Sequence, residues 1–121
     1  MNTMRFARSM VAVLMLAATG AAASVPTLDE CFEGSDFIAD AAWSRDHGLS
    51  RETFLAQLSG DFQAIHAFPP ALRWFAKDED DEHFLFVAAA RVFDVPVTAD
   101  LHRAQFLNAC FERLAATEGD G

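Results

Sequence analysis

The sequence predicts an all-α protein: a small four-helix bundle with a short fifth connector helix and one disulfide, preceded by a cleaved signal peptide. Three observations lead there. Apolar residues recur at three- and four-residue steps, and no sustained period-two alternation appears. Ala, Leu, Phe, Arg and Glu are plentiful, β-branched residues are few, and tyrosine is absent. Two cysteines, Cys31 and Cys110, fall on apolar faces near opposite ends of the prospective domain.

The leader occupies residues 1–23. Residues 1–9 carry Arg5 and Arg8 and no acids, residues 10–18 (MVAVLMLAA) are apolar, and Ala21 and Ala23 form a small-x-small cleavage site. The apolar run is shorter than the ~20 residues that span a bilayer, so stable membrane insertion is not expected. No cysteine follows the small residues, which argues against a lipid anchor. Cleavage after Ala23 leaves a single domain over 24–121. The Arg- and Ala-rich leader suggests a bacterial exported protein, placed first in the periplasm and otherwise outside the cell. In that oxidising setting an even pair of cysteines reads as a disulfide. Closing a loop across a separation of 79 residues contributes ~4.5 kcal/mol by the chain-entropy argument.

The first helix is expected over 28–46. Thr27 and Glu30 have the spacing of a capping box, in which each side chain bonds the other's backbone N–H. Leu28, Cys31, Phe32, Ser35, Ile38, Ala39 and Ala42 form its expected inward stripe. Gly34 costs up to ~1 kcal/mol in a helix interior, which suggests a bend or a close helix approach. Gly48 is placed to take the left-handed conformation after the last turn.

The second helix, 51–67, starts at the N-cap Ser50 and turns Phe54, Leu55, Leu58, Phe62 and Ile65 inward. Pro69 and Pro70 stop it, since proline lacks the N–H and restricts its predecessor. Pro70 also suits the first position of a connector helix, 70–77. Asp78, Glu79, Asp80, Asp81 and Glu82 then open a helix over 79–94, where unpaired N–H groups and the macrodipole favour carboxylates. Its run FLFVAAARVF makes it central to the bundle. Thr98 caps the last helix, 99–116, whose expected inward stripe is Leu101, Ala104, Leu107, Cys110, Phe111 and Leu114.

Charge narrows the function classes. Removing Arg5 and Arg8 from nine Lys and Arg leaves seven against eighteen acids, a net charge of −11. Such a surface repels phosphate backbones, so no nucleic-acid partner is expected. It fits solubility, or a basic protein partner.

Catalytic and metal patterns do not emerge. The acidic run DEDDEHFLFVAA lacks the glycine at place six and the acid at place twelve that an EF-hand loop requires. Glu79 with His83, and Asp36 with Asp40, each supply two donors on one helical face. A zinc site takes three or four. His47, His66, His83 and His102 sit in no nucleophile motif, and both thiols are assigned to the disulfide. No catalytic residue, cofactor or metal is therefore assigned.

What remains is aromatic. Trp43, Phe68, Trp74 and Phe75 flank turns or helix ends, with Arg73 among them, and Trp and Arg are enriched at binding hot spots. Large aromatics also seal the ends of small bundles, and both readings stand at this level. The candidate partner-binding set is Arg73, Trp74 and Phe75 with the acids 78–82, facing an exported or envelope protein that is apolar and basic. The layout is similar to that of small periplasmic helical proteins with one disulfide, such as acid-stress chaperones and secretion-system immunity proteins. No motif matches either group residue by residue, so nothing is carried to a site. An acid-responsive chaperone is the alternative within the same class. A small hydrolase or metal-dependent protein is the alternative from another.

Overall fold

In the computed structural model, residues 26–120 are described. They form four α-helices and one 3₁₀ turn: α1 (Leu28–Asp46), α2 (Arg51–Ile65), the turn Pro70–Leu72, α3 (Glu79–Asp94) and α4 (Ala99–Asp120). The expected leader lies outside the described residues. α1 packs along α4 and against α3, and α2 packs against α3. α1 is thus the helix that both α3 and α4 share.

Local chemistry explains the helix ends. The Thr27 hydroxyl accepts from the Glu30 N–H at 3.1 Å, and Glu30 Oε1 accepts from the Thr27 N–H at 3.1 Å. This closes the capping box. At the other end of α1, the Leu49 N–H donates to the Ser44 carbonyl and the Gly48 N–H to the Arg45 carbonyl. That pair is a Schellman closure, and it requires the positive φ of 94° that Gly48 adopts. Ser50 caps α2 by accepting from the Thr53 N–H. Asp78 caps α3 by accepting from the Asp81 N–H at 2.9 Å. Thr98 Oγ1 accepts from the Leu101 N–H at 3.2 Å at the start of α4.

Cys31 and Cys110 are both fully buried and disulfide-bonded, with Cα atoms 5.8 Å apart. Three residues along α1, Gly34 meets the Phe106 ring. A Cβ at Gly34 would lie 2.7 and 2.8 Å from two ring atoms of Phe106 and 3.2 Å from Phe75. The glycine therefore serves close approach rather than a bend. It lets the Phe106 ring wedge between Phe75 and Phe84, with centroids 5.7 and 5.4 Å away.

This wedge rotates two expected stripes. Leu28 and Phe32 of α1 are exposed, and Gly34 and Ala41 are buried in addition to Cys31, Ser35, Ile38 and Ala42. On α4, Leu101 and Ala104 are exposed while His102 and Phe106 are buried beside Cys110. The connector departs from its expected extent as well. Only Pro70–Leu72 is helical, as a 3₁₀ turn, because Arg73 is extended and Phe75 takes φ +54°. A left-handed residue ends any right-handed helix, and for a bulky side chain it costs about 1–2 kcal/mol.

Candidate functional site

The segment between α2 and α3 is an irregular loop held by polar contacts at three points. Arg73 holds its first half. Its guanidinium donates to the carbonyls of Phe68 at 2.9 Å, Lys77 at 3.1 Å and His66 at 3.4 Å. One fork thus holds three carbonyls of the segment in place, the Lys77 one part-buried.

Glu30 holds the centre. Its Oε1 belongs to the capping box, and its Oε2 accepts from the Phe75 N–H at 2.6 Å and pairs with Lys77 Nζ at 3.1 Å. Lys77 Nζ also donates to the Arg73 carbonyl. These contacts tie the left-handed Phe75 backbone to α1. Burial raises the tendency of Glu30 to hold a proton. The hydrogen bonds from the Phe75 and Thr27 N–H groups and the Lys77 ammonium outweigh it, leaving the carboxyl below its usual 4.5.

Asp81 holds the end. The side chain is fully buried, accepts from the Lys77 N–H at 3.1 Å, and pairs with Arg113 of α4 at 2.9 Å. Burial is the largest influence and pushes the carboxyl above its usual 3.8, with the neighbouring Asp78 adding to it. The Arg113 and Lys77 hydrogen bonds offset only part of that cost. Arg113 also lies over the Phe84 ring, 4.5 Å from its centroid.

The structure divides the candidate partner-binding set. Phe75 is fully buried against Phe84 and Phe106, so it is a core residue and leaves the surface set. Asp81 leaves it for the same reason. Arg73 is spent on backbone carbonyls. Asp78 is the α3 cap, and Glu82 accepts from His66 Nε2 at 2.9 Å. Glu79 and Asp80 remain exposed at the α3 start. Trp74 stays on the surface, its Nε1 donating to Glu33 at 2.7 Å and its ring against Phe37.

Leu72, which the sequence reading did not single out, and Phe68, which it named among the aromatics but left out of the binding set, are also exposed on this loop. Leu72 is 72% exposed and Phe68 54%, beside 41% for Trp74. Trp43 stands apart: its ring stacks on His47 at 3.8 Å, at the far end of α1. It is ten residues beyond Glu33, or ~15 Å along the helix. A signal for Leu72 was present in the sequence, since Leu72, Trp74 and Phe75 cannot share one face of so short a segment.

Among the described residues, no group of three His, Cys, Asp or Glu is placed to hold a metal ion. No described helix is long and apolar enough to cross a membrane. Comparison with known families, curated proteins and solved structures finds no match to this chain.

Proposed function

We propose that this chain is a small exported, non-enzymatic interaction protein that acts in the periplasm. In this reading the α2–α3 loop docks on another exported or envelope protein through Phe68, Leu72 and Trp74. The observation that carries the reading is the contrast inside the loop. Its backbone is fixed by Arg73, Glu30 and Asp81, yet three large apolar side chains face solvent. A rigid apolar projection loses little conformational entropy on binding. Glu33 accepts from Trp74 Nε1 beside it, and Glu79 and Asp80 are exposed at the start of the helix that follows the loop, which matches a partner surface that is apolar at its centre and basic at its edge.

The test is photocrosslinking in the exporting host from a reactive residue at position 72, followed by titration of the captured protein in purified form. Leu72→Ser and Trp74→Ala should each weaken that titration by about tenfold or more, as hot-spot truncations do. Unchanged affinity in both variants removes the loop from the reading. Mass spectrometry of the same exported material should place its amino terminus at Ser24.

An acid-responsive chaperone is the second reading, supported by Glu30. Its carboxylate holds the Phe75 backbone, so protonation weakens the contact that keeps this loop closed. Light scattering of an aggregating client at low pH tests it. Aggregation as fast with the protein as without it ends that reading.

A further inference from the structure

A groove of about 710 Å³ runs between α3 and α4, and its lining includes none of Phe68, Leu72 and Trp74. That volume lies inside the range of small-molecule sites. The two helices meet at its floor through Phe84 and Phe106, and at one end through Asp81 and Arg113. Ile38 of α1, Phe84 and Phe106 form its floor, and Val87 of α3 lies half-exposed on its wall. α3 lines it from Asp80 to Arg91, which is ~16 Å at the helical rise.

The charge of this groove opposes that of the molecule. Among its lining residues, Asp80 is the one acid, against Arg91, Arg113, His83 and His102. The two arginines differ. Arg113 already pairs with Asp81. Among the described residues, no carboxylate pairs with Arg91. His102 sits at the same end, buried, with Nε2 donating to the Val95 carbonyl at 2.7 Å. At the opposite end, Arg113 Nη1 is a buried donor with no hydrogen-bond partner.

We propose that this groove binds an elongated free monocarboxylate, with its carboxylate on Arg91 beside His102 and its apolar chain over Ile38, Phe84, Val87 and Phe106. Charge complementarity sets the sign and the direction. The free cation lies at the Arg91 end, and Asp80 disfavours an anion at the other. The lining sets the shape. Phe84 and Phe106 touch across the floor at 5.4 Å, and Arg113 spans from Phe84 to Asp81. A groove with an apolar floor and an unpaired cation at one end suits a single extended chain with one charged head.

Isothermal titration of the purified chain with dodecanoate, below the concentration at which it forms micelles, tests the proposal. One saturable site is expected. Arg91→Gln should weaken it about tenfold, the loss of one charged hydrogen-bond donor. Val87→Glu, at a half-exposed position that tolerates substitution, should abolish it while circular dichroism stays unchanged. Dodecanol should bind more weakly than dodecanoate to the wild type, and equally to wild type and Arg91→Gln. Four results each overturn the proposal: no saturable uptake, an unchanged affinity in Arg91→Gln, dodecanol as tight as dodecanoate, or binding to phosphatidylglycerol vesicles without binding of free dodecanoate.

Discussion

The α1–α4 seam and the α2–α3 loop are both anchored on α1, by opposite means. The seam is joined by the Cys31–Cys110 disulfide and by the Phe106 ring against Gly34, with the Asp36–Arg103 ion pair on its exposed edge adding little. The loop is joined by carboxylates: Glu30 on the Phe75 N–H and Lys77, and Asp81 on the Lys77 N–H and Arg113. Covalent and apolar contacts do not titrate, whereas carboxylates do. The seam should therefore keep most of its strength across pH, losing only the small share of the exposed Asp36–Arg103 pair, and the loop should respond more. One small domain thus carries a permanent half and an adjustable half, and the adjustable half presents the exposed apolar side chains.

The largest expected effect breaks the seam. Cys31→Ala with Cys110→Ala frees a crosslink spanning 79 residues, for which chain entropy gives ~4.5 kcal/mol. Most domains of this size have about 5–15 kcal/mol in total, so urea unfolding should shift to much lower denaturant. The gap between the double variant and wild type should be the same at pH 7 and pH 4. A strongly pH-dependent gap breaks the contrast drawn here.

A smaller change tests the same seam through packing. Gly34→Ala gains up to ~1 kcal/mol of helix propensity. Its methyl would meet Phe106 at 2.7 Å, and the ring has Phe75 on one side and Phe84 on the other. Overpacking costs about 1–3 kcal/mol, so with the full propensity gain a net loss of up to about 2 is expected. Phe106→Leu destabilises alone. In the Gly34→Ala background it should cost less, because it opens the space the methyl needs. Additive losses in that double-mutant cycle remove the wedge from the account.

The loop is sharpened by Glu30→Gln. Glutamine can still serve the capping box. It loses the Lys77 ion pair and the charged character of the bond from the Phe75 N–H. A loss of about 1 kcal/mol at pH 7 follows from the difference between charged and neutral hydrogen bonds. Because the folded-state value of Glu30 lies below its usual 4.5, its stabilisation is complete above that value. It disappears as pH falls through the lowered one. The gap between wild type and variant should thus close in acid. Asp81 has the opposite sign. Its value is raised above 3.8, so the folded state takes up that proton more readily, and protonation relieves a burial cost. The wild-type acid slope is the difference of the two, and Glu30→Gln should leave the Asp81 part exposed.

Legibility from sequence followed the same division. Local spacing is enough for the Thr27–Glu30 box, the Gly48 closure and the Ser50, Asp78 and Thr98 caps, since each is complete within a few residues. The cysteine pairing was legible because only two cysteines exist. The second oxygen of Glu30 was not, because its partners lie 45 and 47 residues away, at Phe75 and Lys77. Nor was the left-handed Phe75, which depends on that bond and on the Phe106 ring rather than on its neighbours. The α4 stripe went astray for a related reason. Leu107, Cys110, Phe111 and Leu114 pack on the core as periodicity favours, but Leu101 and Ala104 do not, because the space at Gly34 and the α3 side turn Phe106 and His102 inward. Apolar spacing finds that a helix has a face, and the neighbours decide which residues form it.

The smallest expected effect on stability carries the functional side of the comparison. Leu72 is the most exposed large apolar residue named on the loop, and its side chain takes no part in the Arg73, Glu30 or Asp81 contacts. Leu72→Ser should therefore change the unfolding free energy by no more than about 0.5 kcal/mol, as surface substitutions do. Under the proposed function, the same change should weaken the partner by about tenfold. Glu30→Gln should do the reverse at neutral pH, lowering stability while leaving the apolar side chains in place. Stability and binding would then separate cleanly across two positions on one loop. If Leu72→Ser instead destabilises by 2 kcal/mol or more, the exposed leucine is a packing residue and the loop belongs to the core it covers.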